Sequence, residues 1–256
     1  MFVRGKKESI NYSEISEGQY TVTIDSHCIL NSEDLRAFKA NIRELSNDCD
    51  GGANRIYIFD GDNITYKSET ILPVGGYGNK PKVLMVFGNP AFHSVKNGMF
   101  FFSKANNHRH GMWGRLQKAN LIKHVRFSDD NLFLARKREA EERKRLISAG
   151  NASDLFTLGM TTFYSFPTPV KGRFQNVLGV EKLFKPVLED IIRFEVHRFQ
   201  NCEFAQDAIL VFVQKSSYEA FRRHCVQKTI YWPLRGKNSS GEYLYKKLIE
   251  AGGGSK

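Results

Sequence analysis

The chain has 256 residues, 41% of them hydrophobic and 25% charged, which excludes a disordered polar chain and allows one large domain or two small ones. Lys and Arg number 38 against 27 Asp and Glu, a formal charge of +11 that disfavours an acidic solvating chain and points to a polyanionic partner. No apolar run approaches the ~18 residues of a membrane span, MFVRGKKES is not followed by the apolar stretch of a secretory signal, and Cys28, Cys49, Cys202 and Cys225 are too scattered for a zinc or iron–sulfur site. The expectation is a cytoplasmic or nucleoid-associated protein with buried thiols and no metal, cofactor or membrane partner.

Residues 1–75 read as an N-terminal α/β extension. QYTVTID (19–25) alternates like a strand. Ser32 opens a helix whose Leu35, Phe38, Ile42 and Leu45 recur at helical spacing. NRIYIFDGDNITY predicts a hairpin turning at Asp60-Gly61 or Asp62-Asn63, and the turn-rich LPVGGYGNKPK separates this segment from the principal domain, residues 76–256.

That domain opens on KVLMVF (82–87), an apolar run without alternation, as expected of a strand covered on both faces. Residues 129–149 predict a charged helix with six bases and three acids between Arg136 and Arg145. It reads as a solvated face laced with salt bridges, contact with a polyanion being the alternative. LFTLGMTTFYSF (155–166) and DAILVFV (207–213) are further buried strands, and residues 179–199 and SYEAFRRH are helical. TIYW (229–232) is a short strand, after which Ser239 and Glu242 form a capping-box signature for the last helix. This alternation predicts an α/β fold, a three-layer α/β/α sandwich around a mainly parallel four-stranded sheet. Ligands of such sheets bind beyond the carboxyl ends of the strands.

One strand end is the most informative. Asn89 is pinned between Gly88 and Pro90 after KVLMVF, and Gly98-Met99-Phe100-Phe101 brings aromatic rings to the same neighbourhood. A second strand end carries PTPVKGR (167–173), with Lys171 and Arg173. A third opens the last helix through Leu234-Arg235-Gly236-Lys237-Asn238-Ser239-Ser240, basic groups beside a helix N-terminus where a phosphate is well placed.

With these motifs the chain resembles the uracil-DNA glycosylase superfamily over roughly residues 75–250. Gly88-Asn89-Pro90-Ala91 followed by Gly98-Met99-Phe100-Phe101 is similar to that superfamily's first motif, with Asn89 matching the asparagine of its mismatch-specific and single-strand-selective branches. Residues 108–113, HRHGMW, resemble the His/Phe–Trp element of some branches, and Trp232-Pro233-Leu234-Arg235 occupies the place of the second, wedge-bearing motif.

The resemblance implies a monofunctional DNA glycosylase that swings a nucleotide out of the duplex and hydrolyses its glycosidic bond. It assigns water positioning to Asn89, stacking to Phe101 with Phe100 as the alternative, and base reading to Ser165 or Phe166. Leu234 becomes the wedge, and Arg235, Lys237, Ser239, Ser240, Lys171 and Arg173 become DNA contacts. Trp232 stands where a histidine usually supports the leaving base, which leaves His93 or His108 for that task. Ala91 stands where the strict uracil branch has a tyrosine closing the space beside carbon 5. The open carbon-5 side implies uracil or, favoured by Ala91, a C5-substituted pyrimidine such as a hypermodified phage cytosine, the latter with a defence role. A non-catalytic nucleic-acid-binding module and a small-molecule nucleoside hydrolase are the alternatives.

Overall fold

The computed structural model describes residues 10–16, 19–25, 31–48, 56–74, 78–167 and 188–252. In chain order these form strands β1 (Ile10–Ser16) and β2 (Gln19–Asp25), helix α1 (Ser32–Asp48), strands β3 (Tyr57–Asp60), β4 (Asn63–Ile71) and β5 (Lys82–Phe87), and helices α2 (Phe92–Asn97), α3 (Gly111–Lys118) and α4 (Leu132–Ser148). Strand β6 (Thr157–Thr162), helices α5 (Leu188–Gln200) and α6 (Glu203–Gln206), strand β7 (Ile209–Phe212), helix α7 (Lys215–His224), strand β8 (Thr229–Tyr231) and helix α8 (Gly241–Gly252) complete the described chain. No helix among the described residues is long and apolar enough to cross a membrane.

The fold is α/β, but the sheet is larger than four strands. Eight strands join in one sheet of order β1-β2-β4-β6-β5-β7-β8, with β3 added beside β4. Strands β6, β5, β7 and β8 are mutually parallel, while β1, β2, β3 and β4 pair antiparallel. The sheet crosses the sequence boundary at residue 75 because β4 continues past its hairpin and pairs with β6 at Thr70↔Thr161 and Ile71↔Met160. The hairpin turn is Gly61-Asp62, closed by Asp60↔Asn63, one residue away from either position read in the sequence. Gly61 there adopts φ +54, which a glycine tolerates without steric cost.

Both sheet faces are covered, and the pleat assigns alternate residues to each. Leu84, Val86, Leu210 and Phe212 share a core with Phe38 and Ile42 of α1, Val196 and Phe199 of α5, and Phe221 of α7. Val83, Met85, Leu158, Met160 and Val211 face the other way, onto Trp113 and Leu116 of α3, Ile147 of α4, and Leu244 and Leu248 of α8. This double burial is why β5 and β7 read as apolar runs; β6, TLGMTT, is buried throughout although Thr157, Thr161 and Thr162 are polar. Cys202 and Cys225 are half-buried free thiols rather than core residues; Cys28 and Cys49 lie outside the described residues.

Helix α4 departs from the sequence expectation. Its face is only partly solvated: Arg136, Glu139 and Arg143 are buried, while the apolar Leu132, Phe133 and Leu134 of its first turn are exposed. Offsets of three and four residues place the three charged side chains on one stripe, and that stripe is the one that turns inward.

Candidate active site at the carboxyl edge of the parallel strands

Backbone hydrogen bonds continue the ladder past the strand ends. Gly88 O accepts from Tyr164 N at 2.8 Å, Val86 O from Val213 N at 3.2 Å, and Phe212 O from Trp232 N at 2.8 Å. The segments after β5, β6, β7 and β8 therefore leave the sheet side by side. Gln214, just past β7, lies against the backbone of Gly88, where a Cβ would fall 2.0 Å from Gln214 Oε1. Gly88 is thus required for this approach, and it brings a second carboxamide next to Asn89. Gln214 carries no sequence motif, and its place just past a buried strand is its only signal in the sequence.

Asn89 is half-buried in the bend after β5, its Nδ2 donating to Pro90 O at 3.4 Å. Ala91, also half-buried, is the extended N-cap residue of α2. Gly98 ends α2 in a left-handed turn at φ 63, and the chain runs straight into the phenylalanines. Phe100 is buried in the core. Phe101 is half-buried, and its ring meets Phe87, the last residue of β5, edge-on at 4.8 Å.

Phe101 also holds φ +49. The other described non-glycine residues with positive φ are all asparagines, which bear that conformation readily. A bulky aromatic there is a true outlier, costing about 1–2 kcal/mol, and must be held by its surroundings. Trp113 Nε1 donates to Phe101 O at 3.0 Å, and the His110 ring lies over the Phe101 ring at 4.7 Å with 32° between the planes.

His110 lies within the HRHGMW element but carries no role of its own from the sequence, and its ring packs against Phe101. It is the N-cap of α3, and its Nδ1 accepts from Met112 N at 3.2 Å. Burial, with Lys104 and Arg115 nearby, holds its pKa below the usual imidazole value. A neutral ring whose Nδ1 is an acceptor carries its proton on Nε2, so His110 is a neutral donor beside Phe101. His93, on α2, is half-buried with Nε2 3.0 Å from Ser103 Oγ, and burial and Lys96 lower its pKa too. His108 is exposed.

The base-reading assignments fall in the core. Ser165 is fully buried; its amide and hydroxyl both donate to Glu195 Oε1, at 2.7 and 2.5 Å, and its oxygen lies 2.8 Å from Tyr66 Oη. Glu195 is held in turn by Arg198 Nε at 2.9 Å. Phe166 is buried and stacks on Tyr66 with ring centres 4.7 Å apart. Both side chains tie the parallel strands to the N-terminal sheet. Lys171 and Arg173 lie outside the described residues.

Trp232 is fully buried, and its Nε1 donates to Ser240 O at 3.1 Å across the loop that follows β8. Its role here is structural: the indole anchors both ends of that loop. Leu234 is half-buried, its carbonyl accepting from Arg115 Nη1 at 2.8 Å, while Arg235 and Lys237 are exposed at the tip. The helix cap is Ser240 rather than Ser239: Ser240 Oγ accepts from Tyr243 N at 3.1 Å, and Ser239 Oγ turns back to Gly236 O at 2.7 Å. No group of three or more metal-ligating side chains occurs among the described residues. No protein-family model matches this chain, and no curated protein is significantly similar to it.

Proposed function

We propose that this chain is a monofunctional DNA glycosylase that excises a modified pyrimidine. The observation that carries the reading is a half-buried carboxamide, Asn89, at the lip of the central parallel strand, in the same strand-end cluster as an aromatic ring forced into a left-handed backbone. Four parallel strands with helices on both faces agree with the three-layer scaffold that the uracil-DNA glycosylase resemblance implies. Strain of this kind concentrates where geometry serves function.

A nucleotide swung out of the helix would stack on the part of Phe101 that His110 leaves uncovered, a contact worth ~1–3 kcal/mol. The Asn89 carbonyl would orient a water toward C1′ of the sugar. Asparagine is no base, so its contribution is position rather than deprotonation. The glycosidic C–N bond breaks with its electron pair leaving on the base, the water oxygen bonds to the oxocarbenium-like C1′, and the proton that the water releases balances the charge of the departing base. His110 Nε2–H, neutral at physiological pH, is the donor best placed to support the developing anion, a task expected of His93 or His108 from the sequence alone. The small Ala91 side chain would leave room for a C5 substituent.

The test is incubation with oligonucleotides that each carry one pyrimidine variant, including uracil, hydroxymethylcytosine and glucosylated hydroxymethylcytosine, followed by alkali. The reading predicts strand cleavage at one of the substituted bases. Binding without abasic sites on any of them would contradict it.

A further inference from the structure

Away from Asn89, the inward stripe of α4 builds a cluster that excision does not use. Glu139 is fully buried, and its Oε1 accepts from Arg109 Nε at 2.8 Å, from Arg109 Nη2, and from Phe127 N at 3.2 Å. Its Oε2 faces Arg136 Nη1 at 3.3 Å and Arg143 Nη2 at 3.2 Å. Burial opposes ionisation of Glu139, but the hydrogen bonds from Arg109 and Phe127 and the charges of Arg143 and Arg136 outweigh it and hold the carboxyl below its usual range. One carboxylate against three guanidiniums leaves a formal excess of +2.

Backbone carbonyls take part of it, Arg109 Nη2 donating to Phe127 O at 3.0 Å and Arg143 Nη2 to Val125 O at 3.2 Å, but no second carboxylate among the described residues does. Arg136 and Arg143 are only 3% and 2% exposed, and the Nε of each finds no acceptor among the described residues. Buried guanidinium donors without acceptors are costly, and Arg is the side chain whose planar fork suits phosphate. Two cavities open on the cluster. One, of about 320 Å³, is lined by Asn107, His108, Arg109, Leu132 and Arg136. The other, of about 290 Å³, is bordered by Arg109, His110, Trp113, Arg126 and Arg143 among others. Arg109 belongs to both walls, and no carboxylate among the described residues lines either. The helix N-terminus is not the attraction, because Asn131 Oδ1 already accepts from Phe133 N and Leu134 N.

We infer that these paired cavities are a phosphate-binding site, with Arg109 shared between two oxyanions and Arg136 and Arg143 each adding a cationic wall to one of them. Arg143 also lies over the Trp113 ring at 4.5 Å, and Trp113 holds Phe101 O. The second cavity is therefore joined to Phe101 through Trp113. The inference does not rest on base excision, since a protein that only binds phosphorylated ligands would need the same donors.

Calorimetric titration of the whole chain with pyrophosphate, and with a short oligothymidylate lacking terminal phosphates, tests it. Saturable pyrophosphate binding is expected. Arg109→Gln should weaken it about tenfold, the loss of a charge-assisted hydrogen bond. Arg126→Ala, at an exposed position, should weaken it about threefold without affecting folding. Lys137→Ala, on the exposed face of α4, should leave it unchanged. Competition by the oligothymidylate identifies a backbone phosphodiester as the source; binding of pyrophosphate alone identifies a free phosphorylated ligand. No saturable binding, or an equal loss in Lys137→Ala and Arg126→Ala, overturns the site. Because the excision assay is separate, loss of activity on every modified base would leave this result standing, and the converse holds.

Discussion

In Phe101 the side chain and the backbone make opposite demands. The left-handed φ favours glycine, whereas stacking requires a ring. Phe101→Gly should therefore be more stable in urea denaturation than Phe101→Ala, by about 1 kcal/mol, while both lose ~1–3 kcal/mol of affinity for an oligonucleotide carrying the extruded base. Equal stabilities would mean that the backbone strain is not real. Of the residues named from sequence, Asn89 and Phe101 are half-buried beside the end of β5, Phe100 is core, and Ser165 and Phe166 are sealed behind Glu195 and Tyr66. Nothing in the local sequence separates a buried serine at a strand end from an exposed one; that depends on β4 pairing with β6, a contact between residues about 90 apart in the chain.

His110 supplies a pH test of the same site. Its Nδ1 must be unprotonated to accept from Met112 N, and its depressed pKa keeps it so. The base-release rate should stay flat from neutral pH down through the ordinary imidazole range near ~6.5 and fall only below it. An inflection at the ordinary value that disappears in His110→Gln would contradict this assignment.

Among the secondary-structure elements, the apolar runs of β5 and β7 and the helical spacing of α1 are legible in the sequence because double burial and amphipathicity leave such traces. Strand β1, INYSEIS, leaves no such trace. Helix α4 misleads because the pattern marks which residues share a stripe but not which stripe turns inward: its exposed apolar turn and buried arginines invert the usual rule. The loop after β8 illustrates capping by one residue rather than its neighbour, since the indole bond to Ser240 O fixes where α8 begins. Trp232→Phe removes that bond and leaves a void where the larger indole packs in the core, and should cost about 2–4 kcal/mol in thermal denaturation. Gly241 is equally constrained, because a Cβ would fall 2.2 Å from Arg115 O of α3. Replacing Arg235 and Lys237 together should leave stability unchanged and reduce the salt slope of DNA binding by ~0.9 for each phosphate that the pair neutralises. An unaltered slope removes the tip from the DNA interface.

For the whole molecule, two buried carboxyls set opposing pH dependences. Glu139, whose pKa is lowered in the fold, contributes stability present above the unfolded carboxyl value of ~4.3 and lost as pH falls through its folded value. Glu69 is 1% exposed, and its Oε1 has no hydrogen-bond partner among the described residues. Burial raises its pKa well above normal despite the charge of Lys144, so its contribution is full below ~4.3 and is lost as pH rises toward the folded value. Glu69→Gln should therefore lose less stability than the parent chain between about pH 5 and pH 8 in urea titrations. A steeper loss in the variant would reverse the sign assigned to Glu69.

The sheet as a whole places the Asn89 carboxamide just past the carboxyl end of β5, the strand between β6 and β7, and the proposed activity depends on that group. The most direct test compares the parent chain with Asn89→Ala on an oligonucleotide bearing the excised base, reading abasic sites under single-turnover conditions and binding by anisotropy. Loss of at least about a hundredfold in base release with DNA affinity nearly intact is predicted, the scale on which positioned groups contribute to such transition states. Base release at the parental rate from Asn89→Ala would contradict the account.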